Sequence, residues 1–375
     1  MDTRLADEAT LVARLLDHID NKSTDLADSV WHEPVEHYLS QSRFEAEIAR
    51  VFRRAPTVFC PSAALPEAGS YVAREAALTP VIAVRGQDGT VRAFRNACRH
   101  RGARLADGMG CKNAFTCRYH AWTYGLDGAL RGVPHEYGFP GLDKSEYGLA
   151  PLATVERDGF VFVTQDPEGE GDVGENGAGA DAIPDLVPPG FRLVSNSEQE
   201  LPFNWKLFVD GLLEGYHIRS THAETFYPRQ YDNITVVETF GRNCRVSYPY
   251  RSIEYQRDIP RDERRARGAL TQVTLLFPNV AVATFPGYTS LSIVEPLAVD
   301  RTRIVSYMLS DRDETEKTVR VGQDFVTKGV AEDREMAEAC QAGLRSGASE
   351  FVTFGLFEGA NTHFHRTLAQ ALGEN

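Results

Sequence analysis

Residues 98–120 read CRHRGARLADGMGCKNAFTCRYH. Cys98-x-His100 and Cys117-x-x-His120 close the two ends of the stretch, with 16 residues between them. Cys111 and four arginines (Arg99, Arg101, Arg104, Arg118) crowd into the same segment. Two cysteines and two histidines satisfy a tetrahedral zinc ion. They equally satisfy a [2Fe–2S] cluster in which cysteines hold one iron and histidines the other. Zinc knuckles usually pair cysteine with cysteine. Here each loop supplies one of each, as a binuclear site needs if both loops are to reach both irons. Cys111 fits neither spacing and reads as a bystander.

The flanking sequence supplies a scaffold for two such loops. VIAVRGQDGTVRAF (81–94) reads as a hairpin around Asp88-Gly89, WTYGLDGAL (122–130) as another at Asp127-Gly128, and TVERDGFVFVT (154–164) as a third at Asp158-Gly159. A small antiparallel β domain is expected over 56–165. Residues 1–55 read as helical, ending in RFEAEIARVFRR, and are expected to pack on the second domain. Residues 166–190 are acidic, Gly- and Pro-rich, and mark a loop between domains. From 191 to 375, β runs at 233–249, 271–285 and 289–309 lie between helical patterns at 205–219, 314–345 and 358–371. That order, without βαβ alternation, predicts an α+β layer fold with an antiparallel sheet.

A chain of 375 residues suits two domains. Its formal charge of −13 argues against a nucleic-acid partner. No run approaches the ~18 apolar residues of a membrane span. The N-terminus mixes charges without the apolar core of a secretory signal, so a cytoplasmic location is expected. The remaining cysteines, Cys60, Cys244 and Cys340, are scattered and read as small buried hydrophobes rather than a disulfide framework.

A second constellation lies in NWKLFVDGLLEGYHIRSTH (204–222). Asp210, Glu214 and His217 are spaced four and three apart and are expected on one helical face. His222 lies five beyond His217, about 140° around an ideal helix, so both reach one metal only if the helix bends or ends near Ile218–Ser220. Two histidines and a carboxylate on a metal with open positions form the facial triad of non-haem Fe(II) oxygenases.

Together the motifs resemble those of the Rieske non-haem iron ring-hydroxylating oxygenases, large (alpha) terminal subunit, homo-oligomeric type. CRHRG and CRYHAWTYGLDG match the Rieske signature, with Trp122 and Tyr124 as its aromatic wall and Ala121 in place of its usual glycine. N-W-K followed by E-x-Y-H-x₄-H matches the catalytic motif. AEDREMAEACQAGL (331–344) is similar to the E-D-x₇-Q-x-G-L helix that carries the remote carboxylate.

The resemblance implies an all-β Rieske domain and a helix-grip-like catalytic domain. Cys98 and Cys117 would ligate one cluster iron and His100 and His120 the other. His217, His222 and Asp333 would bind a mononuclear Fe(II). Glu332, Glu335 and Glu338 would be solvent-exposed charges, and His363 and His365 would belong to packing or surface. Glu214 would bridge to His120 of a neighbouring subunit in a homotrimer or a multiple of one. Asp210, where the family often has asparagine, could compete as a ligand, hydrogen-bond a ligand histidine or tune a proton-transfer path, and the hydrogen bond is the role expected. Electrons would come from NAD(P)H through a separate flavin/iron–sulfur reductase, with or without a ferredoxin, since no dinucleotide fingerprint is present.

The reaction implied is mono- or dioxygenation, or oxidative demethylation, of an aromatic or hydrophobic small molecule, as in aromatic-hydrocarbon catabolism. Leu207, Phe208, Leu213 and Phe226, with Tyr248, Phe277, Phe285 and Tyr288, are candidate pocket residues. The same aromatics would suit a quaternary ammonium compound through cation–π contact. A rival of another class is an electron-transfer protein whose mononuclear site is empty.

Overall fold

The computed structural model describes residues 5–166, 185–311 and 317–374. Most of the acidic segment expected at 166–190 therefore lies outside the described residues. The chain divides into two compact units, Met1–Glu47 with Asp181–Asn375, and Ile48–Ala180. No helix among the described residues is long and apolar enough to cross a membrane.

The chain opens with helix α1 (Glu8–Asn21), which starts where Asp7 accepts the Thr10 N–H at 2.7 Å. Leu11, Val12, Leu15 and Leu16 recur at helical spacing and bury that face against Val236, Ile253 and Leu270. Strand β1 (Trp31–Pro34) follows, then α2 (Glu36–Leu39) and α3 (Gln41–Glu47). The helical reading of 1–55 therefore fails at β1. Its partner is Phe351–Phe354, more than 300 residues away, and local periodicity carries no trace of a pairing so distant.

The Ile48–Ala180 unit is antiparallel β. A seven-stranded sheet runs in the order β2 (Thr57–Pro61), β11 (Phe160–Thr164), β10 (Pro151–Arg157), β5 (Val91–Arg95), β4 (Thr79–Arg85), β3 (Ser70–Ala76), β6 (Gly108–Cys111). A small sheet joins β7 (Phe115–Thr116), β8 (Thr123–Tyr124) and β9 (Leu130–Gly132). All three Asp-Gly hairpins form. At the third, Asp158 (φ 51°) and Gly159 (φ 81°) both take the left-handed conformation of a two-residue primed turn.

In the other unit seven antiparallel strands stand in the order β12 (Arg192–Leu201), β18 (Arg301–Ser310), β17 (Tyr288–Ala298), β16 (Val280–Phe285), β15 (Leu270–Leu276), β14 (Asn243–Pro249), β13 (Val236–Phe240). Helices α4 (Trp205–Leu212), α5 (Ile218–Thr221), α6 (Lys317–Leu344) and α7 (Gly359–Leu372) complete it, with β19 (Phe351–Phe354) paired to β1. The N-W-K motif pins α4. Asn204 caps it, accepting the Lys206 N–H at 3.0 Å. The fully buried Lys206 ammonium and Trp205 indole donate to the two oxygens of Glu47, at 2.7 and 2.8 Å. Gln341 of α6 accepts the Asn204 N–H at 2.7 Å, tying the helix that bears Asp333 to the start of α4.

Candidate metal centres

In the β unit, Cys98 and His100 follow β5, and Cys117 to His120 link β7 to β8. Each loop turns back onto its own cysteine. The Cys98 N–H donates to Ala103 O and receives the Gly102 N–H on its carbonyl, both at 2.8 Å. The Cys117 N–H donates to Trp122 O at 2.8 Å, and Ala121 N–H to Cys117 O at 2.9 Å. Ala121 takes φ 56°, where a glycine would be unstrained. The exchange costs about 1 kcal/mol, and the surrounding turn must hold it.

Both thiols are buried in one packed cluster with Trp122 and Tyr124. The His100 and His120 rings lie 4.6 Å apart, centroid to centroid. His100 stacks on Trp122 at 5.0 Å, and His120 on the exposed Tyr119 at 3.8 Å. The Nδ1 atoms of both histidines are buried and lack a hydrogen-bond partner. Two orphaned nitrogens beside two buried thiols fit a four-coordinate inorganic centre, which would satisfy all four. Burial, His120 and Arg101 hold His100 below its ordinary pKa, in the neutral form that binds metal. Arg99, Arg101, Arg104 and Arg118 are all exposed, Arg104 paired with Glu75 at 2.8 Å. Cys111 is exposed and apart. Cys60 and Cys244 are buried as expected of small hydrophobes, whereas Cys340 is exposed on α6.

Tyr124 supplies a hydrogen bond that the motif alone does not reveal. Its oxygen accepts the Arg99 N–H at 2.9 Å and lies 3.3 Å from Cys98 Sγ, to which it would donate if that sulfur is a metal-bound thiolate. Donation to a ligand sulfur stabilises the reduced, more negative cluster. Tyr124→Phe should lower the cluster potential by on the order of 50 mV, about 1 kcal/mol for one electron. A redox titration of the visible absorbance checks this.

In the other unit the structure revises the expected helix. α4 ends at Leu212, so Glu214 is not on a shared helical face with Asp210 and His217. It sits in the Leu213–Tyr216 turn ahead of α5, upstream of the break expected near Ile218–Ser220. There it folds back. Its carboxylate accepts the backbone N–H groups of Tyr216 and His217 and the Nδ1–H of His217.

The turn brings His217, His222 and Asp333 together, with one donor atom of each within 4.8 Å of the others. The two Nε2 atoms are 3.1 Å apart, and Asp333 Oδ1 lies 2.9 Å from that of His222 and 3.5 Å from that of His217. Two nitrogens bound at about 2.1 Å and at right angles to one metal would stand about 3 Å apart. Because carboxylates only accept, Nδ1 carries the proton on both rings and Nε2 presents a lone pair inward. The donor set thus fits a divalent cation. Burial disfavours a charged His217, but Glu214 and Asp333 outweigh it and raise its pKa; a metal ion would replace that proton.

Glu332 was expected to be a solvent-exposed charge. Instead it accepts the His222 Nδ1–H at 2.7 Å and the Thr225 hydroxyl at 2.6 Å, orienting the second histidine. Its adjacency to Asp333 was the available signal. Asp210 makes no such contact. Its carboxylate accepts from Tyr38 Oη at 2.7 Å and His365 Nε2 at 2.8 Å, so the expected bond to a site histidine is absent among the described residues. The physical reason is the early end of α4, which separates the direction of Asp210 from that of the turn.

A cavity of about 110 Å³ opens onto the three donors. Phe208, Phe226, Tyr248 and Phe285 of the expected set line it; Leu207, Leu213, Phe277 and Tyr288 do not. Gln230, Thr271, Ser290 and Ser292 add neutral polar groups, and Ala281 and Ala283 leave room.

Residues 55–143 match the Rieske [2Fe-2S] domain and residues 190–374 the ring hydroxylating alpha subunit catalytic domain. The chain is a Rieske-type non-haem iron oxygenase and belongs to the ring-hydroxylating alpha-subunit family. It is 27% identical to the carnitine monooxygenase oxygenase subunit of Escherichia coli (strain K12), covering 91% of this chain and 93% of that one. It is 28% identical to the chloroplastic choline monooxygenase of Spinacia oleracea, over 90% and 78% respectively. The crystal structure of the quaternary ammonium Rieske monooxygenase CntA with an inhibitor superposes with a TM-score of 0.78 at 23% identity, covering 99% of each chain. At that identity the likeness is one of fold. Family membership, together with a complete donor set, sets aside the alternative of a pure electron carrier.

Proposed function

We propose that this protein is the terminal oxygenase of a multicomponent system that mono-oxygenates or oxidatively demethylates a compound bearing a quaternary ammonium group. The carrying observation is the cavity. It is lined by the His–His–Asp donor set and by four aromatic side chains, with no lysine or arginine among its described lining residues. A quaternary cation has no proton to donate, so ring faces are what hold it. Apolar lining alone would suit an aromatic hydrocarbon equally. The relatives named above favour the cation, since carnitine and choline both carry a trimethylammonium group. They give no support to aromatic-hydrocarbon dioxygenation.

In this reading His217, His222 and Asp333 hold the mononuclear iron, Cys98 and Cys117 one cluster iron, and His100 and His120 the other. When bound, the iron supplies open coordination positions for O₂ and the cluster supplies single electrons. The chain's own groups orient and enclose. Glu214 and Glu332 fix the tautomers of His217 and His222, and Phe208 and Phe226 keep water from the donors. Oε2 of Glu214 already accepts two backbone N–H groups, whereas Oε1 accepts only the His217 imidazole and retains a further lone pair. It can therefore accept from the partner subunit's His120, in a head-to-tail homotrimer closed by heterologous contacts. NAD(P)H would act through a separate reductase, with or without a ferredoxin.

With a surrogate reductase, the protein should yield an oxygenated or demethylated product from a trimethylammonium compound and none from naphthalene. A cation with a neutral hydroxyl tail should exceed a carboxylate-bearing one at least about tenfold in kcat/KM, because burying an unpaired carboxylate is costly. Turnover of naphthalene alone would overturn the reading.

A further inference from the structure

Asp210 stands in the last turn of α4, where the helix dipole disfavours a negative charge, and it is 8% exposed. Its partner, His365 of α7, is 1% exposed and donates Nε2–H to it at 2.8 Å. On the other side of the same ring Nδ1 lies 3.4 Å from Glu33 Oε1, an ion-pair contact too long for a well-formed hydrogen bond. Glu33, 3% exposed on β1, is in turn held by Trp31 Nε1–H at 2.9 Å and His37 Nδ1–H at 2.6 Å. A neutral imidazole here would leave two buried carboxylates without the cation between them. Burial works against the imidazolium, but Asp210 and Glu33 outweigh it and hold His365 at about 9.

This network grips the end of α4. Asn361 of α7 also donates to Asp210 O, at 2.8 Å. Just beyond, Tyr248 Oη donates to Leu212 O at 2.8 Å and the Asn233 N–H to Gly215 O at 3.2 Å. The turn that carries Glu214 into His217 is thus tied down on both sides.

We propose that Glu33, His365 and Asp210 form a buried charge clamp that positions the Leu213–Tyr216 turn, and through it Glu214 and His217. All three are positioning residues. The inference rests on the reading of His217 as an iron donor, since iron retention is its readout. Its sign with pH follows from the raised His365 value: the clamp is complete below that group's ordinary 6.5 and is lost as pH rises through about 9. The groups facing the ring are Glu33 from β1, Asp210 from α4 and Tyr38 from α2, whose phenol is held well above its usual range by burial and Asp210. Behind them stand Glu47, Arg43 and Lys206, with Cys340 and Glu358 also near Asp210. Glu358 is pushed up to about 7 by burial and by Glu214, and so titrates at the start of the measured range, well before the loss expected near 9.

The experiment measures the rate at which preloaded Fe(II) is lost to a chelator, from pH 7 to 10, in cluster-replete protein. His365→Gln strands two buried carboxylates and should speed loss at pH 7 about tenfold or more. Asp210→Asn added to His365→Gln removes the stranded charge on α4, the one joined to the turn, while Glu33 keeps its Trp31 and His37 donors, and should return the rate to within about threefold of wild type. A role in packing alone predicts a double variant no better than the single. Wild-type loss should accelerate as pH passes 9, and the double variant should stay flat. Should His365→Gln fail to fold, Asp210→Asn alone is compared with wild type across the same range, and the acceleration near 9 should vanish. No rescue, or a flat wild-type profile, overturns the clamp. Wild-type protein that binds no Fe(II) at this site overturns the site reading and the clamp with it.

Discussion

Asp333→Ala should purify red-brown, with its cluster spectrum unchanged, and turn over at least about a thousandfold more slowly than wild type. Asp333 Oδ1 is the anionic member of the donor set, within 2.9 and 3.5 Å of the two Nε2 atoms. Its removal leaves two neutral imidazoles and a weakened cation site. Loss of several kcal/mol of charge stabilisation corresponds to about three decades in rate. Iron content per chain and single-substrate turnover measure the two effects. Full iron and activity in Asp333→Ala, with both lost in Asp210→Ala, would transfer the role to Asp210.

Glu214→Gln is the second large effect. Glutamine offers one acceptor oxygen and two donor hydrogens, so of the three N–H groups that Glu214 accepts, at least one would face another donor. Both metals should remain, while reoxidation of the pre-reduced cluster in a single turnover with substrate and O₂ slows about 10- to 100-fold. Reoxidation at the wild-type rate would remove Glu214 from the electron path. Mixed oligomers extend the test. Cluster-dead His100→Ala chains combined with iron-dead His217→Ala chains recover activity only if electrons cross between subunits.

The cluster loops were legible because their chemistry is local. Cys98, His100, Cys117 and His120 lie within 23 residues, on loops held by hairpins whose Asp-Gly turns are written in the sequence. The three donors of the second centre could be named from motif resemblance, but their arrangement could not be derived. Periodicity put Asp210, Glu214 and His217 on one face, and the end of α4 at Leu212 undid that inference. Glu332 was misread because an acidic residue on a helix has no intrinsic address. Only the approach of His222 gives it a partner.

The sequence by itself determined the residue types gathered at the two candidate centres, the order of those centres along the chain and the antiparallel character of both units. These depend on residue chemistry and on short-range alternation of polar and apolar positions. Tertiary structure decided which carboxylate serves which histidine, because Asp333 meets His217 across more than a hundred intervening residues. It also decided that Asp210 serves His365 and Tyr38, and that Trp31–Pro34 is a strand, since its partner enters at the far end of the chain. Long-range pairings of buried charges and strand edges are fixed by packing, where an unpaired carboxylate or backbone N–H is costly, and no local window of sequence records that cost.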